Sequence, residues 1–170
     1  MKLPGTATQE ENIHIALGKL DIQPGHVFLD IGCGSGAISS AASRLTDRIY
    51  GIDRRPEAIE ASRAAVPSGR FFEGDASQII PQLPGIDRCF IGGTRQMEAF
   101  WPLLLKKAAP GCIIVADLAR IGIAARVVAL MKETGIFQEL LQISICRGYD
   151  LAGDMALRPV NPIFMVVGKC

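Results

Sequence analysis

Long hydrophobic runs are missing from this sequence. Its apolar residues come in short stretches broken by Gly, Pro or charge, none near the ~20 residues that a membrane-spanning helix needs. The start, Met1-Lys2-Leu3-Pro4-Gly5, carries no apolar secretion core, so a cytoplasmic protein is expected. Blocks of like charge are missing too. The net charge is +1, which argues against a nucleic-acid or membrane partner recognised by bulk electrostatics. The five cysteines (Cys33, Cys89, Cys112, Cys146, Cys170) are scattered, with no CxxC pair. With only His14 and His26 to join them, the usual zinc spacings are excluded and no metal is expected. Cys89 and Cys112 lie in apolar runs and read as small buried hydrophobes. Neither a Ser–His–Asp set nor paired catalytic carboxylates stands out, so no catalytic residue is assigned.

What is present is an alternation. The 170 residues suit one domain spanning 1–170, with 49% apolar and 21% charged residues. Thr8 and Glu11 have the spacing of a capping box, and Ile13, Ala16, Leu17 and Leu20 follow at helical intervals. Short apolar strands are then expected at 27–31, 48–53, 70–73, 87–91 and 112–116, each followed by a helical pattern. Pro56 opens one of these helices and Gly135 stops the last, which covers about 119–134. Two closing strands, 137–146 and 162–167, have no helix between them. Parallel neighbours need crossover connections, so the pattern predicts an α/β, doubly wound, Rossmann-like sheet of seven strands. It is mostly parallel, with an antiparallel C-terminal hairpin.

The strongest local signal is Asp30-Ile31-Gly32-Cys33-Gly34-Ser35-Gly36, joining the first core strand to a helix. Ligands bind at this position in doubly wound sheets, and glycines allow a close backbone approach. The third glycine comes one residue earlier than in the dinucleotide fingerprint G-x-G-x-x-G, which disfavours an NAD-dependent oxidoreductase. The spacing Asp-x-Gly-x-Gly-x-Gly resembles the S-adenosylmethionine loop of class I methyltransferases. Asp53 ends the second strand, where it either accepts both ribose hydroxyls or caps the following helix. Asp75, in Gly74-Asp75-Ala76, either contacts adenine together with Ala76 or caps a helix. Gly92-Gly93 ends the fourth strand and either leaves room for a substrate or makes a plain tight turn.

Thr8-x-x-Glu11, the glycine loop, Ile52-Asp53-Arg54-x-Pro56, Glu73-Gly74-Asp75-Ala76, Ile91-Gly92-Gly93, Arg147-Gly148 and Asn161-Pro162 occur in that order. As a set they resemble the decarboxylating precorrin methyltransferases of cobalamin synthesis, over nearly the whole chain. The resemblance implies S-adenosyl-L-methionine as methyl donor and S-adenosyl-L-homocysteine as product. It implies cofactor contacts at Thr8, Gly32 to Gly36, Asp53 and Ala76; Thr8 serves equally as a cap. It also implies an anionic tetrapyrrole (a corrin precursor) as substrate and a homotetramer. Pro162 to Val167 either fills the chain's own sheet or offers a strand for a neighbour to cover. Family members often continue Gly92-Gly93 with further small residues, whereas Thr94-Arg95-Gln96 stands here. A polycarboxylate substrate calls for guanidinium groups, and Arg95, Arg120 and Arg147 are the candidates, Arg147 first. Alternatives are a methyltransferase for another small molecule, RNA or protein, and a non-catalytic cofactor-binding subunit.

Overall fold

Alternate residues of each central strand face opposite sides of the sheet, and both sides are apolar. That pattern requires helices on both faces. In the computed structural model, which describes residues 8–170, seven strands form one sheet in the order β3-β2-β1-β4-β5-β9-β6. These are β1 (Phe28–Ile31), β2 (Ile49–Asp53), β3 (Arg70–Glu73), β4 (Ile86–Ile91), β5 (Ala108–Leu118), β6 (Phe137–Ile143) and β9 (Ile163–Lys169). β1 to β5 pair in parallel, while β9 runs antiparallel to both β5 and β6. The doubly wound reading of the sequence holds. The Met1–Gly5 start lies outside the described residues.

One face packs Phe28, Phe90, Val115 and Met165 against α1 (Glu10–Leu20), α2 (Ala37–Ala42) and α3 (Pro56–Ala65), through Ala16, Leu20, Ile38 and Ile59. Their neighbours Leu29, Ile91, Ile114 and Val166 face the other way. They meet Ala76 of α4 (Ala76–Ile79), Phe100 and Leu104 of α5 (Met97–Lys107), and Val127 of α6 (Ile121–Glu133). Full burial of each large side chain contributes about 1.5–3 kcal/mol, so the sheet is clamped from both sides. Pro56 stands in the first turn of α3, and Gly135, at φ +74°, follows α6 as its stop.

Three local expectations are corrected. Thr8 and Glu11 do not form a capping box: Gln9 is the N-cap of α1 and no side chain caps it. The Glu11 carboxylate instead binds the Arg147 guanidinium, a charge-assisted pair stronger than a neutral backbone contact. The fifth strand begins at Ala108, because Pro110-Gly111 is carried inside it. The tail holds four strands, not two: β7 (Cys146–Leu151) and β8 (Asp154–Pro159) form a separate hairpin between β6 and β9. β9 is internal to the sheet, so Pro162 to Val167 fills the chain's own sheet and is not left for a neighbour. No helix among the described residues is long and apolar enough to cross a membrane.

Candidate functional site

The glycine loop leaves β1 at the carboxyl end of the sheet and is pinned there by backbone bonds. Gly32 N–H and Cys33 N–H both donate to Ile52 O, at 2.7 and 3.1 Å, and Gly36 N–H donates to Cys33 O at 2.8 Å. Two of its glycines have different tasks. Gly32 (φ +80°) lies so close to the β4 loop that a Cβ would sit 2.6 Å from Gly93 N. Gly34 (φ +56°) would bring a Cβ to 3.8 Å from Arg55 Nη2 and 3.9 Å from Gly32 O, ordinary contact distances, so no described neighbour requires the missing side chain. Gly92 and Gly93 both donate to Ile31 O, at 2.9 and 3.0 Å. Their smallness therefore serves the packing of two loops as well as any room beside them.

Asp53, at the end of β2, is 7% exposed and fully engaged. One carboxylate oxygen accepts from Gly34 N–H and Arg55 Nη2, each at 3.0 Å; the other accepts from Arg55 N and Nε at 3.1 and 3.0 Å. Burial works to raise its pKa, but the Arg55 and Gly34 donors outweigh it and hold the group below its ordinary value. Asp53 is thus an ionised acceptor fixed against the glycine loop. It caps no helix, since the N-cap of α3 is Arg55.

Asp30 behaves differently. It is fully buried, and desolvation pushes its pKa up to about 7 despite a 2.6 Å bond from Ser39 Oγ. Its Oδ1 has no hydrogen-bond partner among the described residues. Cys33 is buried as well, its thiol pushed up to about 12 by desolvation and accepting a bond from Ser62 Oγ. Cys33 therefore lies inside the loop as an inert side chain. Asp75 caps α4: Oδ1 accepts from Ser77 N and Oγ at 2.8 and 2.7 Å, and Arg54 pairs with Oδ2. The Ser77 bonds, with Arg54, lower its pKa. The capping alternative thus accounts for Asp75.

These elements enclose a cavity of ≈ 240 Å³ at the strand ends. Its walls include Ile31, Gly32, Ile52, Asp53, Gly74, Ala76, Gly92, Gly93 and Phe100, with Arg54, Arg55 and Arg95 around them. Of the expected site residues, Gly32, Asp53, Ala76, Gly92 and Arg95 meet here. Thr8, Asp30, Cys33, Gly34, Ser35, Gly36, Asp75, Arg120 and Arg147 are not among the lining residues, although Gly34 is bonded to Asp53, which is. Arg120 is the exposed N-cap of α6. Arg147 is held by Glu11 and Gln9, tying β7 to the start of α1. Arg54, Arg55 and Phe100 were not foreseen. The dipeptide Arg54-Arg55 directly after the strand-end acid was the available signal.

A further acid was missed. Asp117 follows Ala116, which pairs with Ile91, so it lies level with Gly92 at the same sheet edge. Desolvation raises its pKa to about 6, and its Oδ1 is buried without a partner among the described residues. A folded-state value above the ordinary 3.8 means that folding favours the protonated form. The contribution is whole below about pH 4 and is lost as pH rises through 6. Asp117→Asn should therefore raise unfolding free energy by about 1–3 kcal/mol at pH 8 and give no gain at pH 4. Urea denaturation at the two pH values measures the difference.

A precorrin methyltransferase domain model matches residues 2–168. The chain belongs to the precorrin methyltransferase family. Within that family it is 35% identical to the probable cobalt-precorrin-6B C(15)-methyltransferase (decarboxylating) of Methanosarcina acetivorans, over 99% of this chain and 96% of the relative. It is 32% identical to the protein of the same name from Archaeoglobus fulgidus, over 98% and 99%. Among solved structures it superposes on precorrin 8W decarboxylase of Methanobacterium thermoautotrophicum with TM-score 0.91 and 22% identity, covering 98% and 92% of the two chains. A tRNA (m1A58) methyltransferase from Aquifex aeolicus shares the fold at TM-score 0.76 and 16% identity, covering 99% of this chain and 71% of that one. The same fold thus carries proteins of different names, so the fold alone does not assign this chain's chemistry.

Proposed function

We propose that this chain methylates carbon 15 of cobalt-precorrin-6B and releases CO₂ from an acetate arm, in cobalamin synthesis, with S-adenosylmethionine as donor. The observation that carries the reading is the arginine-bordered cavity beside the glycine loop in a precorrin methyltransferase chain. The residues fit the donor. Gly34 offers backbone with no Cβ in the way, Asp53 is a fixed anionic acceptor suited to vicinal hydroxyls, and Ala76 and Phe100 supply apolar wall. When bound, S-adenosylmethionine supplies an electrophilic methyl group on a sulfonium.

The chain's own work is positioning. Asp53 and the glycine loop orient the donor, and the packed Gly32–Gly93 backbones set how closely the two loops approach. An electron-rich ring carbon needs no strong protein base, so alignment and exclusion of water provide most of the rate. Arg95 makes no ion pair or hydrogen bond among the described residues, which leaves its guanidinium available to a substrate carboxylate. The Arg120 guanidinium likewise has no partner among the described residues, and a secondary carboxylate contact is assigned to it. Arg147 is demoted by its bond to Glu11.

The reading is tested by incubating the protein with cobalt-precorrin-6B and methyl-labelled donor. Label in the corrin and one equivalent of CO₂ are expected; label in nucleic acid or protein instead defeats it. Arg95→Ala should raise the substrate KM roughly three- to tenfold, the scale of a charged contact at a partly solvated rim. Donor affinity should stay unchanged.

Assembly as a homotetramer is proposed on the hairpin β7–β8, not on β9. Met155 and Leu157, on one face of this two-stranded sheet, are 72% and 68% exposed, and the described residues leave them uncovered. Light scattering should report a tetramer, and Leu157→Glu should yield smaller species; a wild-type monomer at micromolar concentration refutes this.

A further inference from the structure

Far from the cavity, at the start of β5, two cysteines face each other. The β5–β9 ladder runs to Ile113 opposite Lys169, so the next opposed residues are Cys112 and Cys170. Cys170 N–H donates to Cys112 O at 2.9 Å, and Gly111 N–H donates to Cys170 O at 2.9 Å. Gly111, at φ +81°, is the extra residue of a bulge in which Gly111 and Cys112 together oppose Cys170. Opposed residues of antiparallel strands have Cα atoms roughly 4.5–5.5 Å apart, inside the roughly 4.4–6.8 Å span of disulfides.

The environment divides the labour between them. Cys112 is fully buried and Cys170 is exposed. The neighbouring Cys112 thiol lowers the Cys170 pKa to about 7, whereas Cys112 is raised by Cys170 and by burial. The Arg88 guanidinium, 9% exposed, donates to Asp21 O, Asp87 O and Gly111 O, and its charge favours a sulfur anion at Cys112. Exposed sulfur with thiolate character, beside a buried partner thiol, is the arrangement of an attacking and a resolving cysteine.

We propose that Cys112 and Cys170 form an oxidisable dithiol, in which Cys170 reacts with a peroxide and Cys112 resolves the product into a cross-strand disulfide. The Cys170 sulfur attacks one peroxide oxygen, the O–O bond breaks, and water leaves after taking up a proton. The resulting sulfenic acid is attacked by the Cys112 sulfur. The S–O bond breaks, and a second water leaves with the Cys112 proton. Two thiols lose two electrons and two protons, and one hydrogen peroxide becomes two waters. A thiol reductant reverses the change. The disulfide would close the chain between β5 and β9 around α6 and β6, restricting the unfolded state.

The test titrates reduced protein with hydrogen peroxide until the exposed Cys146 is half oxidised, then alkylates it and maps its peptides. A Cys112–Cys170 cross-linked peptide, lost on adding dithiothreitol, is expected, with a Tm higher by about 5 °C in the oxidised protein. Cys170→Ser should abolish both the cross-link and the peroxide-induced Tm shift. Cys112→Ala should stop at a Cys170 sulfenic acid that dimedone traps. Absence of the cross-link in wild type once Cys146 is half oxidised, or pairing of Cys112 with Cys89, overturns the proposal. The mapping is done on wild-type protein, so an unstable variant does not obscure the answer.

Discussion

Gly32→Ala is expected to abolish S-adenosylhomocysteine binding and to lower stability by about 2–4 kcal/mol. Two costs combine. An alanine at φ +80° occupies the left-handed region, at about 1–2 kcal/mol. Its Cβ would also meet Gly93 N at 2.6 Å, and this is backbone, which cannot swing aside as a flexible side chain does. The β1 and β4 loops must part, and both border the cavity. Gly34→Ala is the matched control. It carries only the conformational cost at φ +56°, about 1–2 kcal/mol, because no described neighbour stands closer than 3.8 Å. It should therefore stay folded at 25 °C yet bind S-adenosylhomocysteine poorly, since the new methyl group projects where the donor's backbone contact is proposed. Urea denaturation and calorimetric titration separate the two effects. Full affinity in Gly34→Ala would remove the glycine loop from the proposed contact set.

The contrast between these glycines shows what the sequence discloses and what it withholds. The motif Asp30 to Gly36 announces a strand, a tight turn and a helix through local chemistry alone, and the structure places all three. Which glycine is needed for packing and which for a ligand depends on Gly93, distant in the sequence, and spacing does not encode that. Thr8 and Glu11 illustrate the same limit. The capping box is a local rule, and it yields to Arg147, a partner that only the folded chain brings within reach. Long-range pairs of this kind also decide Asp53, whose register beside Gly34 is set by the β1–β2 pairing.

The hairpin β7–β8 was missed for another reason. Strand patterns are legible when one face is buried, because burial imposes alternation of apolar and polar residues. This hairpin packs neither face into the core, so Cys146 to Pro159 shows no such alternation to detect. Its turn was the surviving clue: Ala152-Gly153, with φ +55° and +86°, is a two-residue loop of the kind that closes hairpins. The early start of β5 has a similar origin. Pro110-Gly111 reads as a turn ahead of a strand, but Gly111 is absorbed as a bulge against Cys170, and the strand continues through it.

Asp53→Ala is expected to weaken S-adenosylmethionine and S-adenosylhomocysteine binding alike by about 1.5–3 kcal/mol, or roughly 10- to 150-fold in Kd. Equal loss follows because the two molecules share the ribose and differ only at sulfur. The side chain is poised for this role: its pKa is held below the ordinary value, so it remains an acceptor throughout the physiological range. Both oxygens are occupied, however, by Arg55 and by Gly34 N–H. Vicinal hydroxyls must therefore share the carboxylate with Arg55 or displace it, whereas the Gly34 bond can persist and keep loop and acid in register. Arg55→Ala should accordingly change donor affinity much less than Asp53→Ala does. The Asp53 change also strips the Gly34 amide of its acceptor, so the folded state of each variant is checked by its urea midpoint before titration. If Asp53→Ala binds both molecules with wild-type affinity, the ribose is held elsewhere, and the carboxylate serves only to fasten Arg55 to the glycine loop. If Arg55→Ala loses as much affinity as Asp53→Ala, the unit that recognises the donor is the ion pair and not the acid alone.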